Sequence, residues 1–429
     1  MRVFAIVAAA VLAFSARSAY AAAPADTLPG VLEFTPAPGE STAAEPEAPA
    51  VVAAAEVEWL SARFGEQLLT EPEAWTPGRH HHHRLDPVID YNRVDPLRLG
   101  LSGEVQNPAS MAPRFGARLE YSTARERVLY GAQLEQPLLP RSQLAIGADV
   151  TRRTDHEELQ QVGDIENSLA LLFARQDYRD YFEREGFGAY LAWRVPEISV
   201  ISVHLRSNRY RSLPLFENTR SWLLRDRPLR DNPPIDEGRI HSALLRLERQ
   251  ARLGARARAG FYHEIELEVA GGSLGGDFRY TRLLGDVHSV VRLSPANTAV
   301  LRLVAGYTES GTLPAQKRFT LGGVDGLRAH ATSEYRGDQV LLGQAEYSTA
   351  LLHMRTHLFE AGLRALAFLD VGHAWDAPER RWGIGRQHME TDGGLGIATA
   401  EDRLRLYVAR DLQRARASAV VTLRLQRPF

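Results

Sequence analysis

Two stretches of this chain carry residue types that could perform covalent chemistry or bind an ion. Gly271-Gly272-Ser273-Leu274-Gly275 has the G-x-S-x-G spacing of a hydrolase nucleophile elbow. Such an elbow must join a strand to a helix, but alternating, strand-like residues flank this one on both sides, so a hairpin turn is predicted instead. The adjacent residues His80, His81, His82 and His83 cannot share one face of a helix or strand. They are interpreted as a solvated run that binds metal ions or anions only opportunistically.

The remaining polar residues suggest no other catalytic centre. The carboxylate pairs Asp155 with Glu157 and Asp177 with Asp180 are predicted to be solvated or to face a polar interior. We find no phosphate-binding loop and no metal-ligand spacing, and the chain has 0 cysteines, which excludes disulfides and thiolate chemistry. The net charge of −2 gives no basis for binding nucleic acid. We therefore expect a protein that is not an enzyme and that has no cofactor and no metal ion.

The N-terminal quarter is predicted to lie outside the main fold. Arg2, an apolar run over residues 3–14 and the sequence Ala19-Tyr20-Ala21 predict a signal peptide, residues 1–21, that is removed on export. Residues 22–55 are rich in Ala, Pro and Glu and are expected to be disordered in the periplasm. Residues 56–89 are predicted to form a short helix and a linker. That helix would either dock on the following domain or lie free at its surface.

Residues 90–429 show the period-two alternation of β-strands. In 261–269, apolar side chains alternate with Glu264, Glu266 and Glu268. A soluble sandwich would bury these carboxylates, at several kcal/mol for each unpaired ion. A transmembrane barrel turns the apolar face to lipid and the charged face to its interior. The pattern therefore predicts an all-β fold, a transmembrane antiparallel β-barrel.

The strand count and two interruptions can also be predicted. About fifteen strand candidates are present, and since single-chain bacterial barrels have even counts, sixteen strands are predicted, with fourteen as the alternative. Residues 154–186 include Leu169, Leu171 and Leu172 in a pattern that is more helical than alternating. Residues 211–238 are rich in proline and predict a long loop.

Two motifs in the second half carry a family resemblance. They are Phe319-Thr320-Leu321-Gly322-Gly323-Val324-Asp325-Gly326-Leu327-Arg328-Ala329-His330 and Phe368-Leu369-Asp370-Val371-Gly372. They resemble the signature motifs of the superfamily of outer-membrane protein insertases and two-partner secretion transporters, the bacterial surface antigen barrels. This superfamily includes BamA-like and TamA-like assembly factors and FhaC-like and ShlB-like transporters.

The resemblance implies roles for individual residues. A glycine-rich loop that folds back into the barrel lumen would contain Phe319, Leu321, Gly322, Gly323, Gly326, Leu327 and Arg328. Its partners on a neighbouring strand would be Phe368, Asp370 and Gly372, with Arg328 paired to Asp370. The final strand would carry the C-terminal assembly signal, Phe429 with Leu425 and Leu423. Tyr91-Asn92-Arg93-Val94 and residues 97–100 resemble the family's first barrel strand.

The sequence departs from the family pattern in two places. Ala329 and His330 stand where the family has Gly and an aromatic residue. Residues 22–89 are too short and too rich in proline for the periplasmic POTRA domains that receive substrate in the family. The chain is therefore expected to be a POTRA-less member.

The expected function follows from the resemblance. It implies a barrel in the bacterial outer membrane that mediates protein translocation across that membrane, or insertion into it, without covalent chemistry. The implied partners are outer-membrane lipids, the barrel-assembly machinery and an exported or inserted protein substrate, with no nucleic acid. Two alternatives stay open: a passive porin-like channel for small solutes, and a barrel hydrolase built from residues distant in sequence.

Overall fold

A computed structural model describes residues 82–106, 111–139, 143–195, 199–249, 260–355, 360–376, 388–399, 404–414 and 417–425. The predicted signal peptide, the segment 22–55 and the predicted short helix lie outside these residues. So do His80, His81 and Phe429.

The described chain forms one large antiparallel sheet, a two-stranded hairpin and one α-helix. The strands are β1 (His82–Asp90), β2 (Arg98–Gln106), β3 (Arg114–Ser122), β4 (Arg127–Pro137), β5 (Leu144–His156), β6 (Tyr181–Val195), β7 (Ser199–Ser212), β8 (Gly238–Arg249), β9 (Gly260–Ala270), β10 (Tyr280–Arg292), β11 (Asn297–Gly311), β12 (Phe319–Leu321), β13 (Tyr335–Gly337), β14 (Gln339–Arg355), β15 (Glu360–Trp375), β16 (Glu390–Thr399), β17 (Arg405–Asp411) and β18 (Val420–Arg424). Helix α1 is Asp164–Ala174, and short 3-10 turns lie at Gly272–Leu274 and Ala315–Lys317.

The large sheet has the strand order of an up-and-down barrel. It contains 16 strands, each hydrogen-bonded to its sequence neighbour, with β11 next to β14 because β12 and β13 pair separately. The prediction of sixteen antiparallel strands is confirmed, and the alternative of fourteen is wrong. In the described part of the chain, no ladder joins β1 to β18, so these two strands form the ends of the sheet.

The start of the sheet differs from the sequence-based boundary. Strand β1 begins at His82, before the predicted boundary at residue 90. Tyr91-Asn92-Arg93-Val94, which resembled part of a first strand, lies in the connection between β1 and β2, and residues 98–100 of the same prediction lie in β2, the second strand. Its polar side chains bond within the connection and to other loops, as when Asn92 Oδ1 accepts the backbone N–H groups of Val94 (3.1 Å) and Asp95 (2.8 Å). The histidines and Pro87 obscured the strand pattern of β1.

The strands alternate as predicted for a barrel in lipid. On β9, Glu266 and Glu268 are buried while Val269 is exposed. On β18, Val421 and Leu423 are exposed while Arg424 is buried. The charged face of the sheet therefore lines a filled lumen, and the apolar face points outward to where lipid lies.

Two long connections enter this lumen. The lumenal loop, residues 312–338, joins β11 to β14 and contains the β12–β13 hairpin. The helical loop, residues 157–180, joins β5 to β6 and contains α1, within the region predicted to be helical. In the part of the chain that the structure describes, no helix is long and apolar enough to cross a membrane.

Candidate functional site

The glycine-rich motif folds the lumenal loop into a compact turn. Gly322 and Gly323 have φ angles of 118° and 83°, where a side chain would be strained. The N–H of Gly323 donates to the carbonyl oxygens of Leu327 (3.1 Å) and His330 (3.2 Å). These bonds close the turn and present the Arg328 side chain to the barrel wall.

Phe319 fixes the base of the loop against the sheet. Its side chain is 0% exposed, and the guanidinium carbon of Arg282 lies 4.5 Å from its ring centroid. The ring packs on Gly306 of β11 so closely that a Cβ at that position would lie 2.5 Å from Phe319 Cε1. Leu321 and Leu327 are buried in the same apolar cluster. The loop thus has an apolar anchor at its base in addition to any charged contact at its tip.

Arg328 is buried between two carboxylates on adjacent strands. Its Nε lies 3.1 Å from Asp370 Oδ2 on β15, and its Nη1 lies 3.1 Å from Glu346 Oε2 on β14. Its guanidinium carbon lies 4.0 Å from the ring centroid of Phe368 and 4.8 Å from that of Tyr407. The structure therefore places Arg328, Phe368 and Asp370 together, and Glu346 with them.

Further side chains complete this cluster, which we call the Arg328 site. Gln344 donates to Asp370 Oδ1 (3.1 Å) and to the backbone oxygen of Gly326 (3.0 Å). Arg405 Nη1 and the Tyr407 hydroxyl donate to Glu346 at 2.6 Å and 2.9 Å. Burial disfavours a charged guanidinium, but Asp370 and Glu346 outweigh it and raise the pKa of Arg328 above its usual value. Arg328 therefore keeps its charge, and the loop tip is bound ionically to the wall.

Sequence reasoning identified Arg328 and Asp370 but missed the second carboxylate. In the β14–β15 ladder Gln344 pairs with Asp370 and Glu346 with Phe368. The polar face of β14 therefore runs beside the motif on β15. Aligning the two alternation patterns across the hairpin would have placed Glu346 next to Asp370 on one face.

A second ionic cluster holds the first turn of the lumenal loop, near its base. Lys317 Nζ lies 2.7 Å from Glu158 Oε1 and 3.2 Å from Glu268 Oε2, and its side chain is 8% exposed. Although burial works against its charge, the two glutamates raise the pKa of Lys317 well above its usual value. Thr320 donates a hydrogen bond of 2.7 Å to Glu157 Oε2. The lumenal loop and the helical loop are thereby tied together inside the barrel.

Helix α1 contacts both ends of the large sheet. Ser168 Oγ donates to Asp90 Oδ1 at the end of β1 (3.1 Å). Two residues earlier, Glu166 Oε1 accepts from Arg424 Nε of β18 at 2.6 Å. Arg424 is 2% exposed and also donates to the backbone oxygen of Val324 in the lumenal loop (3.0 Å). One helix therefore connects the first strand, the last strand and the loop.

The other predicted site residues have simpler surroundings. Leu423 is exposed and Leu425 is half-buried, at the described end of the chain, while Gly372 packs closely on β14. Ser273 is exposed on a 3-10 turn between β9 and β10, so the G-x-S-x-G pattern lies between two strands and has no following helix. The elbow geometry that a serine nucleophile needs is not formed there.

Comparison with protein families and solved structures supports the barrel. A sequence model of the Omp85 superfamily domain matches residues 93–429. The crystal structure of BamA from Haemophilus ducreyi lacking POTRA domains 1–3 is similar, with a TM-score of 0.55 and 11% identity over 80% of this chain and 69% of that one. A comparison with curated proteins found no match.

Two further barrels resemble the chain more weakly. CdiB from Escherichia coli has a TM-score of 0.47 and 10% identity over 82% of this chain and 62% of that one. CdiB from Acinetobacter baumannii has a TM-score of 0.43 and 12% identity over 80% of this chain and 58% of that one. The chain thus spans less than two thirds of the length of either CdiB.

Proposed function

The chain belongs to the Omp85 superfamily, and on that premise we propose that it inserts a protein substrate into the outer membrane, or passes one across it, without covalent chemistry. Membership supports outer-membrane location and a role in protein insertion or secretion at the level of the family. The proposal for this chain adds a route for the substrate and a device that controls it.

The observation that carries the proposal is the arrangement at the ends of the sheet. β1 and β18 are short, with 9 and 5 residues, and within the described residues no ladder joins them. Unpaired N–H and C=O groups on such strands are a template for an incoming strand. We call this junction the seam. An extended substrate segment would pair with β1 or β18 there and enter the membrane sideways.

Helix α1 is proposed to regulate the opening of the seam. Through Ser168 and Glu166 it holds β1 and β18 by side-chain contacts. Charge-assisted hydrogen bonds of this kind contribute about 1.5–3 kcal/mol each, much less than a full ladder of backbone bonds. In this proposal α1 restrains the two ends of the sheet at rest, and a substrate that supplies backbone bonds to β1 or β18 displaces the helix contacts.

The lumenal loop keeps the barrel plugged while the seam works. Its tip is fixed by the Arg328 site and its first turn by Lys317, and an open cavity beside Lys317 has a volume of about 140 Å³. A cavity of that size holds on the order of ten waters. This filled lumen supports lateral release over the passive porin-like channel.

The first test is a reconstituted folding assay. The purified protein in liposomes is mixed with an unfolded eight-stranded outer-membrane protein, and folding is followed by heat-modifiable gel migration. A clear acceleration over empty liposomes and over liposomes with an unrelated porin is expected for insertion. For secretion, a host strain lacking the gene would lose one or more proteins from its surface or medium, and complementation would restore them.

Conductance separates the proposal from the porin alternative. In planar bilayers the intact protein is expected to show little steady current, whereas deletion of residues 314–337 should open a large pore. A steady, porin-like current from the intact protein, with no effect on substrate folding or secretion, would contradict the proposal.

A further inference from the structure

A histidine and three carboxylates meet at the tip of the lumenal loop, apart from the Arg328 site. His330 follows Arg328 by two positions, at the place where the sequence departs from its family pattern. Its imidazole faces Glu390 and Asp392 of β16 and Asp411 of β17. His330, Asp392 and Asp411 are buried, and the side chain of Glu390 is 13% exposed. Three acidic groups therefore lie around one imidazole.

One carboxylate sets the orientation of the imidazole. His330 Nδ1 lies 3.1 Å from Asp392 Oδ1 and 3.2 Å from Oδ2. The backbone N–H of Ala329 donates to the same carboxylate at 2.7 Å. With Nδ1 donating to Asp392, the Nε2 lone pair points away from it. This is the arrangement by which a metal-binding histidine is usually held, its other nitrogen bonded to a carboxylate.

The Nε2 side of the imidazole faces oxygen atoms that lie too far away for a hydrogen bond. His330 Nε2 lies 3.9 Å from Glu390 Oε2 and 3.9 Å from Asp411 Oδ2, beyond hydrogen-bond range. Among the described residues, the buried His330 Nε2 has no hydrogen-bond partner, and the buried Asp411 Oδ2 has none beyond its ion contact with Arg414 Nε. Such orphaned groups are rare and call for an ion or a water.

The spacing fits an ion between the three side chains. The three candidate ligand atoms lie within 4.8 Å of one another. With metal–ligand distances of about 2.0–2.2 Å, ligand atoms of a tetrahedral site lie about 3.4 Å apart. Around an ion, Glu390 and Asp411 therefore need to approach His330 Nε2 by about 0.5 Å, and the two carboxylates need to approach each other by up to about 1.4 Å. Arg414 Nε lies 3.3 Å from Asp411 Oδ2, but its side chain is 61% exposed and can turn into solvent.

We propose that His330, Glu390 and Asp411 bind one divalent transition-metal ion, with Asp392 as the carboxylate that orients His330. One imidazole with two carboxylates suits Zn²⁺, Mn²⁺ or Fe²⁺, whereas Ca²⁺ and Mg²⁺ prefer oxygen ligands alone. The ion joins the lumenal loop to β16 and β17 and so fixes the loop tip at a point separate from Arg328. No sequence spacing suggested it, since the ligands come from one loop and two strands.

The test measures Zn²⁺ binding to the full chain in detergent. Because the run His80 to His83 is predicted to bind ions opportunistically, all measurements use a background in which these four histidines are alanine. One Zn²⁺ per chain is expected, and X-ray absorption should show one imidazole with oxygen ligands. His330→Ala and Asp411→Asn should each abolish this site, and Asp392→Asn should weaken binding about 10–100-fold.

The matched control is His288→Asn, which removes a half-buried lumenal histidine of β10 that stacks on Tyr262. It should leave stoichiometry and affinity unchanged. Folding of every variant is checked by heat-modifiable migration, and the conservative variant Glu390→Gln gives an independent test of the site. Absence of a bound ion in the background protein would overturn the proposal. So would equal Zn²⁺ affinity in the folded His330→Ala and Asp411→Asn variants.

Discussion

At the scale of the residue, the Arg328 site combines a fully buried cation with two carboxylates on adjacent strands. Asp370 is 0% exposed and Glu346 is 4% exposed. Removing one member of a buried pair leaves its partner charged and poorly solvated. Because of the second carboxylate, the two substitutions are not expected to have equal effects. Removal of Arg328 leaves both Asp370 and Glu346 without it, whereas removal of Asp370 leaves Arg328 bound to Glu346.

Arg328→Ala is therefore expected to destabilise the barrel more than Asp370→Ala. The free energy of unfolding in detergent should fall by about 3–5 kcal/mol for the arginine variant. The double variant should cost less than the sum of the two, since both remove one shared interaction. The control is Arg318→Ala, because Arg318 pairs with the exposed Asp376 at the loop surface and should cost about 0–1 kcal/mol. Additive losses would contradict direct coupling of Arg328 and Asp370.

Glu157 is expected to make the packing of the two loops depend on pH. Burial and the neighbouring Asp180 raise the pKa of Glu157 to about 7 from an ordinary value of 4.5, against the effect of Arg336. A carboxyl group with a raised pKa contributes stability that is present below its unfolded pKa and is lost as pH rises through its folded pKa. The lumenal loop should thus be better protected from protease at about pH 5.5 than at about pH 8.

The variant Glu157→Gln should remove most of that pH dependence, because the amide stays neutral throughout. Glu158→Gln is the matched control. Burial disfavours the charge of Glu158, but Arg282 and Lys317 lower its pKa below the ordinary value. Its loss should weaken the loop at every pH in this range without flattening the profile. An unchanged profile in Glu157→Gln would show that another group is responsible.

The contact between Arg328 and Asp370 could be predicted from the sequence because each residue stands in a family motif. It did not reveal Lys317 or Glu346 as anchors, since neither stands in a motif and each depends on strand register. Lys317 is the sole lysine of the chain, which is a signal that could have been used. The register and tilt of the strands decide which carboxylate pairs with which arginine in the lumen. Local sequence specifies neither of them.

At the scale of the element, α1 connects elements that are far apart in sequence. Ser168 reaches the end of β1, and Glu166 reaches Arg424, 258 positions later. Alternation predicted the lipid-facing strands well because every second residue must be apolar there. It did not predict β1, whose sequence HHRLDPVID has polar and proline residues. A short strand at the end of a sheet has fewer packing constraints, so its pattern is weaker.

Glu166→Gln is expected to loosen β18 without unfolding the barrel. Loss of the charge should weaken the contact with Arg424. A loss of about 1.4 kcal/mol raises the equilibrium constant for local opening of β18 tenfold. Hydrogen exchange should therefore become about tenfold or more faster in peptides covering residues 420–425 and stay unchanged in β10. The control Glu126→Gln changes an exposed carboxylate in the turn between β3 and β4. Unchanged exchange in β18 would show that α1 does not hold the seam.

At the scale of the whole molecule, the fold was predictable because lipid on one face and charge on the other favour an antiparallel barrel over other all-β folds. The strand count followed from the same pattern. The position of the seam did not follow, because the resemblance placed the first strand at residues 97–100 and not at β1, and because no motif indicated a helix that bridges the ends. These features are tertiary, and the residues that create them, such as Ser168 and Arg424, are ordinary in sequence.

The assembly role of the C-terminus stays a prediction. The folded chain should fractionate with outer membranes and show heat-modifiable migration, since its backbone groups are paired within the sheet. Deletion of Phe429 should lower the amount of folded barrel in cells, while Leu293→Ala, a control at an exposed apolar residue near a short turn, should not. Equal yields of folded protein would count against an assembly signal at Phe429.

The most direct test of the proposed route is to crosslink the two strands of the seam and measure activity. Since the chain has 0 cysteines, Ile89→Cys on β1 and Leu423→Cys on β18 can be joined by disulfide-forming crosslinkers of graded length, and both positions are exposed. The control pair is Leu406→Cys with Leu423→Cys, which face each other within the β17–β18 ladder. We predict that a short crosslink across the seam stops assisted folding or secretion until a reductant releases it, while the control crosslink has no effect. Full activity with the seam locked would contradict lateral release through β1 and β18.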